Sequence, residues 1–457
     1  MRIFIDFGST FTKVAAFDLE KEELVARVQA PSTVDTDITA GLSNAIAQLR
    51  ETMPVSDKQL RQAVACSSAA GGLRMVCVGL VPDYTTKAGH MAALGAGAKV
   101  TGTFSYELSG SELGQIAALK PDIVLLTGGT DGGNKAIITH NASRLAEISE
   151  SLAAVIVAGN KSAHDDINRA FEGSGLDVSF TSNVMPEFGA LELGPVNDRI
   201  RELFIGRITR AKGIARVDEM IGGVLMPTPS AVLEAAKLIS DGTKNEDGFG
   251  ELMMVDVGGA TTDIYSIAAG TPTRDSVHTI GLREPYAKRT VEGDLGLYHN
   301  LDSLADIFSG QEQGDPETAK RRVEELRKLL SIPSGREQTR YQLELSRLAV
   351  KTAVDRHVGR LERVPTHDGD IWVQRGKDLS NVETVIGVGG PLAFSSDPRH
   401  VLDGASAEKD EPFILKPNPS RFLLDEKYIM FAIGLLSQTE PEKALRIVKK
   451  YLREMRS

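Results

Sequence analysis

Cysteine is scarce in this 457-residue chain. Cys66 and Cys77 are the only two, each sits in an apolar run (AVACSS, MVCVGL), and no CxxC occurs. A disulfide framework and the usual thiol-ligated zinc or iron–sulfur sets are thereby excluded. The two thiols read as buried, reduced core residues of a cytoplasmic protein. The eight histidines form no HxxH or HExxH pattern, which argues against a zinc site. Positive charge is also in deficit. The net charge of -10 makes a nucleic-acid backbone an unsuitable partner. No apolar run approaches the roughly 20 residues that span a bilayer, so no membrane association is expected. MRIFIDFGST has no basic region followed by a long apolar core, so it does not read as a signal peptide.

What is present is an ordinary globular composition, 41% hydrophobic and 25% charged with 44 glycines. The length predicts two or three domains. The first eighteen residues read as a hairpin, with strands at Arg2–Asp6 and Thr12–Asp18 around a turn. Glu23–Gln29 suits a third strand and Asp37–Met53 a helix. From about Tyr84 to Phe204 helix and strand alternate, as in a parallel α/β sheet. A second hairpin, LMMVDVGGATTDIYSIAAG, begins at Leu252. The stretch Leu301–Val364 is charged and reads as helical, and KRRVEELRKLL within it as a solvated helix face. These boundaries predict three segments: 1–83, a first lobe; 84–243, an α/β segment completing or inserted in it; and 244–457, a second lobe with a helical insertion.

Two motifs share one design. In Asp6-Phe7-Gly8-Ser9-Thr10-Phe11-Thr12-Lys13 a hairpin turn exposes backbone N–H groups and hydroxyls that can cradle a phosphate. Gly8 permits close backbone approach. Asp6 at a strand end can hold hydrated Mg²⁺, which takes one or two carboxylates and keeps waters. Lys13, on the returning strand, can reach a phosphate as a point charge. Its loss is then expected to weaken nucleotide binding more than folding. Asp256-Val257-Gly258-Gly259-Ala260-Thr261-Thr262-Asp263 repeats this logic about 250 residues later. A third strand-to-glycine turn, Gly387-Val388-Gly389-Gly390-Pro391, is placed to pass an adenosine. Asp131 in the loop Gly128–Gly133 suits a turn or a metal, and the turn is favoured. His357, between Arg356 and Arg360, reads as structural.

The order DFGST, DVGGATTD, GVGGP resembles the phosphate-one, phosphate-two and adenosine motifs of the actin-like ATPase superfamily. That resemblance implies an α/β, two-lobed fold with ribonuclease H-like lobes and an additional α/β segment in the N-terminal half. It implies ATP and Mg²⁺ as cofactors and Asp6 and Asp256 as catalytic, water-mediated metal residues. Gly8, Ser9, Thr10, Lys13, Gly258, Gly259, Ala260, Thr261 and Thr262 would bind phosphate, and Gly389 and Gly390 would line the adenosine. Ala260 stands where relatives often carry Gly or Thr, and Pro391 replaces a Ser-x-Arg.

Finer features, namely MMVDVGGATTDIYSI, RTVEGDLG (Arg289–Gly296), AVDRHVGR (Ala353–Arg360), VIGVGGPLAF and PDIVLLTGGTDGGN, resemble the MutL/GlmL-type proteins over the length of the chain. Those proteins accompany coenzyme-B12-dependent glutamate mutase and related aminomutases. The implied role is an ATP-dependent accessory, itself no mutase, that ejects damaged cobalamin from a mutase. Its partners would be mutase subunits, with a homo-oligomer left open. Tyr84–Phe204 is also similar in element order to the small cobalamin-binding subunit of such mutases. It lacks the Asp-x-His-x-x-Gly loop and suits either a decoy or a plain flavodoxin-like domain, the latter favoured. Two rivals remain at this stage: an ATP-dependent hydantoinase/oxoprolinase-type enzyme, whose DxGGTxTD motif is close to DVGGATTD, and a non-hydrolysing nucleotide-binding scaffold. A redox activator of 2-hydroxyacyl-CoA dehydratases would need better-placed cysteines.

Overall fold

A computed structural model of the chain describes residues 1–33, 37–68, 73–208, 220–298, 300–311, 335–367 and 369–455, with residues 217 and 324. The chain divides into two compact units. One comprises Met1–Ala16, Val28–Ala231 and Gly281–Pro285; the other comprises Phe17–Arg27, Val232–Ile280 and Tyr286–Ser457.

The first sheet opens with β1 (Arg2–Phe7), β2 (Phe11–Asp18) and β3 (Glu23–Pro31), followed by β4 (Val64–Ser67). Ile3, Phe4, Ile5 and Phe7 are all buried, so β1 is a central strand without an exposed face. The helix Ile38–Thr52 lies between β3 and β4, with the Asp37 carboxylate accepting from the Thr39 N–H at its N-cap. The chain then leaves this sheet to build another: β5 (Arg74–Gly79), β6 (Lys99–Ser105), β7 (Ile123–Leu126), β8 (Ala154–Val157) and β9 (Asp177–Phe180). Their order is β6-β5-β7-β8-β9, and every pairing is parallel. This 2-1-3-4-5 arrangement is the flavodoxin-like winding. It starts earlier than the change of rhythm at Tyr84, because β4 and β5 are two short apolar runs that read alike in sequence. The chain returns through β10 (Val224–Pro227), which pairs parallel with β4. The first sheet therefore has the order β10-β4-β1-β2-β3.

The second unit repeats that plan with β11 (Leu252–Val257), β12 (Thr262–Ile267), β13 (Val277–Ile280), β14 (Ala287–Glu292), β15 (Arg360–Thr366), β16 (Gly369–Arg375), β17 (Thr384–Val388), β18 (Arg421–Leu424) and β19 (Arg453–Glu454). Its main sheet runs β14-β12-β11-β17-β18-β19. β11 pairs antiparallel with β12 and parallel with β17, and β17 pairs parallel with β18. Numbered from its own first hairpin, each main sheet contains the same 3-2-1-4-5 succession. The 23-residue helix Gly335–His357 covers the second sheet, burying Leu345, Ala349, Val350, Ala353 and Val354 among Met253, Val255 and Ile264.

One expectation is corrected. Helix does not continue to Val364: it ends at His357, and Arg360–Thr366 is β15, antiparallel to β16. Gly359 causes the break. A side chain there would stand 2.7 Å from the Gly376 carbonyl carbon and the Lys377 nitrogen, so only glycine lets the two segments meet. Apart from Glu324, the run KRRVEELRKLL lies outside the described residues.

Candidate functional site

The turn after β1 is closed by one bond, from the Gly8 N–H to the Phe11 carbonyl at 3.1 Å. A methyl group on Gly8 would lie 2.7 Å from that carbonyl oxygen, which explains the glycine. Ser32 braces the turn from outside: its hydroxyl donates to Gly8 O at 2.8 Å and its N–H to Thr10 O at 2.9 Å. Ser9 is exposed and Thr10 half-buried. Below the turn, Asp6 and Lys13 form an ion pair of 2.6 Å between side chains only 1% and 10% exposed. The other Asp6 oxygen accepts from the Thr228 hydroxyl at 2.6 Å, with the Cys66 thiol 3.6 Å away. Asp6 and Lys13 thus stand together as one buried pair. Thr228, which begins the helix after β10, completes the cluster. Cys66 and Cys77 are buried free thiols, and burial pushes Cys77 up to about 12.

The turn after β11 has the same closure, from Gly258 N–H to Thr261 O at 2.9 Å, with the same steric demand for glycine. Its charge arrangement differs. Asp256 on β11 is in register with Asp263 on β12. Directly opposed side chains share a sheet face, so like charges there need a counter-charge. Arg289 on β14 supplies it, with Nε and a terminal nitrogen 2.8 and 2.5 Å from Asp263 Oδ1. Burial works against the Arg289 charge, but Asp263 outweighs it and holds the guanidinium above its ordinary value. The Thr261 hydroxyl donates to Asp263 Oδ2 at 2.8 Å. Thr262 turns the other way: its hydroxyl donates to Leu295 O at 2.8 Å and is wholly buried. Only the Thr262 backbone remains on the side of the turn.

The third turn meets the second within this unit. Gly389 has φ +97°, and a side chain there would stand 2.7 Å from Asp256 Oδ1 and closer still to Val257 O. Gly390 opens the short helix Gly390–Ala393 with Pro391 in its first turn, where a missing N–H costs nothing. A side chain on Gly390 would meet, among the described residues, only the rings of Tyr428 and Phe394, at 3.8 and 4.0 Å, and Phe394 is 66% exposed. Sequence reading missed both aromatics, along with Thr228, Asp263 and Arg289.

His357 is wholly buried. Its Nδ1 meets the Thr290 hydroxyl and its Nε2 the Ser266 hydroxyl, each at 2.8 Å. Burial, then Lys288 and Lys377, hold it well below the usual histidine value, so it is a neutral packing residue. Asp131 is a loop brace, accepting from Asn183 Nδ2 and the Lys161 N–H at 3.0 and 3.1 Å. Among the described residues no cluster of three or more His, Cys, Asp or Glu side chains could hold a bare metal ion, and no helix is long and apolar enough to cross a membrane.

Two sheets of 3-2-1-4-5 order, each with a glycine-closed Asp-x-Gly turn at its first hairpin, define the actin-like class of fold with ribonuclease H-like units. Within that class the chain belongs to the MutL protein family, whose model matches residues 2–452. It is 41% identical to "Protein MutL" of Clostridium tetanomorphum over 459 residues, 98% of each chain. Solved structures similar to it include the ethanolamine utilization protein EutJ of Carboxydothermus hydrogenoformans, at 11% identity and TM-score 0.23 over 97% of this chain and 89% of that one. Xylulose kinase of Bifidobacterium adolescentis matches at 10% identity and TM-score 0.32, over 97% and 92%.

Proposed function

We propose that this protein binds ATP and serves as an accessory factor of a coenzyme-B12-dependent mutase such as glutamate mutase, releasing damaged cobalamin so that fresh cofactor can enter. The observation that carries the nucleotide half is the repetition, in two separate sheets, of one Asp-x-Gly turn closed by the same N–H to carbonyl bond. Backbone N–H groups of such turns form a nest for phosphate oxygens. Membership of the MutL protein family supports the accessory half.

The residues suit Mg²⁺ unequally. The oxygens of Asp6 are engaged by Lys13 and Thr228, so its carboxylate is already neutralised. The second turn sets Asp256 and Asp263 in register, with the Arg289 guanidinium on Asp263. Asp256 would hold the ion through water, with Asp6 as its counterpart at the first turn. Bound there, Mg²⁺ would screen the triphosphate charge. Gly8, Ser9, Thr10 and Lys13 at the first turn, and Gly258, Gly259, Ala260, Thr261 and Thr262 at the second, would meet phosphate. Gly389 and Gly390 would pass the adenosine. Hydrolysis, where it occurs, would rest on positioning and charge.

The inserted parallel sheet bears on the partner. In a 2-1-3-4-5 sheet the ligand crevice opens at the carboxyl ends of β5 and β7. Here the Thr85 hydroxyl accepts from the Leu80 and Val81 N–H groups at 2.9 and 3.0 Å, and the Thr127 hydroxyl donates to Thr85 O at 3.0 Å. Thr86 packs so tightly on Gly79 that a side chain there would stand 2.7 Å from its Cα. A sheet wound like a cofactor-binding domain, with its crevice filled by its own threonines, suits a competitor for the mutase's large subunit. The test is reactivation: mutase inactivated with hydroxocobalamin should regain turnover only with this protein, ATP and fresh coenzyme. Recovery without ATP, or none at all, would remove the assignment. In a pull-down, excess small subunit should displace the protein from the large subunit; simultaneous binding would remove the competitor reading alone.

A further inference from the structure

Two sequence features that lie outside the phosphate turns in the chain, RTVEGDLG and AVDRHVGR, meet at one side chain. Arg356, next to the last residue of the helix Gly335–His357, donates to Glu292 Oε2 at 2.7 Å and to both oxygens of Asp294 at 2.8 and 3.0 Å. Asp294 begins the loop that continues to Tyr298 and Asn300. That loop lies directly on the phosphate-two turn. The Leu297 N–H donates to Gly258 O at 3.2 Å, the Tyr298 N–H to Gly259 O at 2.9 Å, and Asn300 Nδ2 to Ala260 O at 2.9 Å. The approach is so close that a side chain on Gly296 would stand 2.7 Å from Ala260 Cα.

Three consecutive carbonyls of the turn are thus tied to one loop. A trans peptide is planar, with its carbonyl and the following N–H pointing opposite ways. Fixing the carbonyls of Gly258, Gly259 and Ala260 therefore fixes the N–H groups of Gly259, Ala260 and Thr261, all directed away from the loop. Flexible glycines would otherwise let these peptides rotate. The loop has no strand pairing of its own, and the bidentate Arg356–Asp294 contact is its charged anchor to the rigid helix.

We propose that Arg356 is a positioning residue for nucleotide binding: through Asp294 and the loop it pre-orients three backbone N–H groups of the phosphate-two turn toward the phosphates. This rests on the ATP-binding reading above. Preorganised donors contribute because no reorganisation is needed when the charged ligand arrives. The effect should fall on phosphate recognition, leaving the adenosine side unchanged.

The test uses the full chain with Arg356→Ala and Arg356→Lys, titrated calorimetrically with MgATP and with adenosine. Arg356→Ala should lose about ten-fold in MgATP affinity, or about 1.4 kcal/mol, with adenosine affinity unchanged. Arg356→Lys, keeping the charge but not the fork, should fall between. Added guanidinium at low millimolar concentration should restore part of the loss in Arg356→Ala. Hydrogen exchange at Leu297 and Tyr298 should accelerate in Arg356→Ala without nucleotide. Equal loss for MgATP and adenosine would mark Arg356 as merely structural and overturn the proposal. So would parental MgATP affinity in a folded Arg356→Ala protein, or in Arg356→Lys should the alanine variant fail to fold. A parent protein that binds no MgATP would instead overturn the ATP-binding reading itself.

Discussion

The Asp6–Lys13 pair makes a stability prediction that spacing alone did not. Both side chains are buried, 2.6 Å apart, and among the described residues the Asp6 oxygens also meet the Thr228 hydroxyl and a thiol at 3.6 Å. Removing one member of a buried pair strands the other charge, at about 3–5 kcal/mol. Thr228 still donates to Asp6, so Lys13→Met should fall near the low end, about 3 kcal/mol. The double variant Asp6→Asn/Lys13→Met strands no charge and should cost about 2 kcal/mol less than the sum of the single changes. Trp372, the one tryptophan, lies in the second unit, so its fluorescence is the wrong probe. Hydrogen exchange of β1 and β2 amides against urea reports the opening free energy of the right sheet. A Lys13→Met protein within about 1 kcal/mol of parent, or strictly additive single changes, would refute the reasoning. On this reasoning Lys13 contributes to fold stability in addition to the phosphate contact proposed for it.

Three further outcomes follow from local geometry. Gly389→Ala, at φ +97° and against the Val257 carbonyl, should destabilise the second unit by at least about 2 kcal/mol, whereas Gly390→Ala should stay within about 0.5 kcal/mol; equal melting shifts for the two would contradict this. Phe394→Ala removes a 66% exposed ring beside Gly390 and should weaken ATP binding several-fold while leaving the melting temperature within about 2 °C, read by titration and scanning calorimetry; a stability loss with unchanged affinity would assign the ring to packing. Burial raises Asp425 to about 6, against the backbone N–H groups of Ile429 and Met430 that its oxygens accept and the facing Arg27. The folded chain holds this proton more tightly than the unfolded chain, so the contribution of Asp425 to stability is fully present below about pH 4 and is lost, by up to about 3 kcal/mol, as pH rises through 6. Asp425→Asn should abolish that slope, and parallel unfolding curves for parent and variant between pH 5 and 8 would count against it.

The parts that were legible in sequence share one property: they are set by neighbours along the chain. The hairpins around Gly8 and Gly258 follow from apolar runs broken by glycine, and the parallel sheet from alternating periods. Asp6, Asp256 and Gly389 stand out in sequence for that reason. The partners that complete each turn come from far away: Thr228 reaches Asp6 across 222 positions. Arg289 reaches Asp263, and Arg356 reaches Asp294, only after β14 and the long helix are placed. RTVEGDLG and AVDRHVGR were visible as features, but nothing in either segment says that one is the counter-charge of the other. The strand Arg360–Thr366 was misread because its charges continue those of the preceding helix. The cue was Gly359, a residue that commonly stands just past a helix end. Strand alternation turns the Thr262 hydroxyl toward Leu295 O, a partner 33 positions away that the motif itself does not show.

The central claim is that the glycine-closed turns bind a nucleoside triphosphate with its metal. Calorimetric titration of the full chain with MgATP, beside Asp256→Ala, tests it most directly. The account predicts saturable binding by the parent and its loss, with any Mg²⁺-dependent hydrolysis, in an Asp256→Ala protein that keeps the parental melting temperature within a few degrees. Undiminished binding in that folded variant, or no binding by the parent, would contradict it.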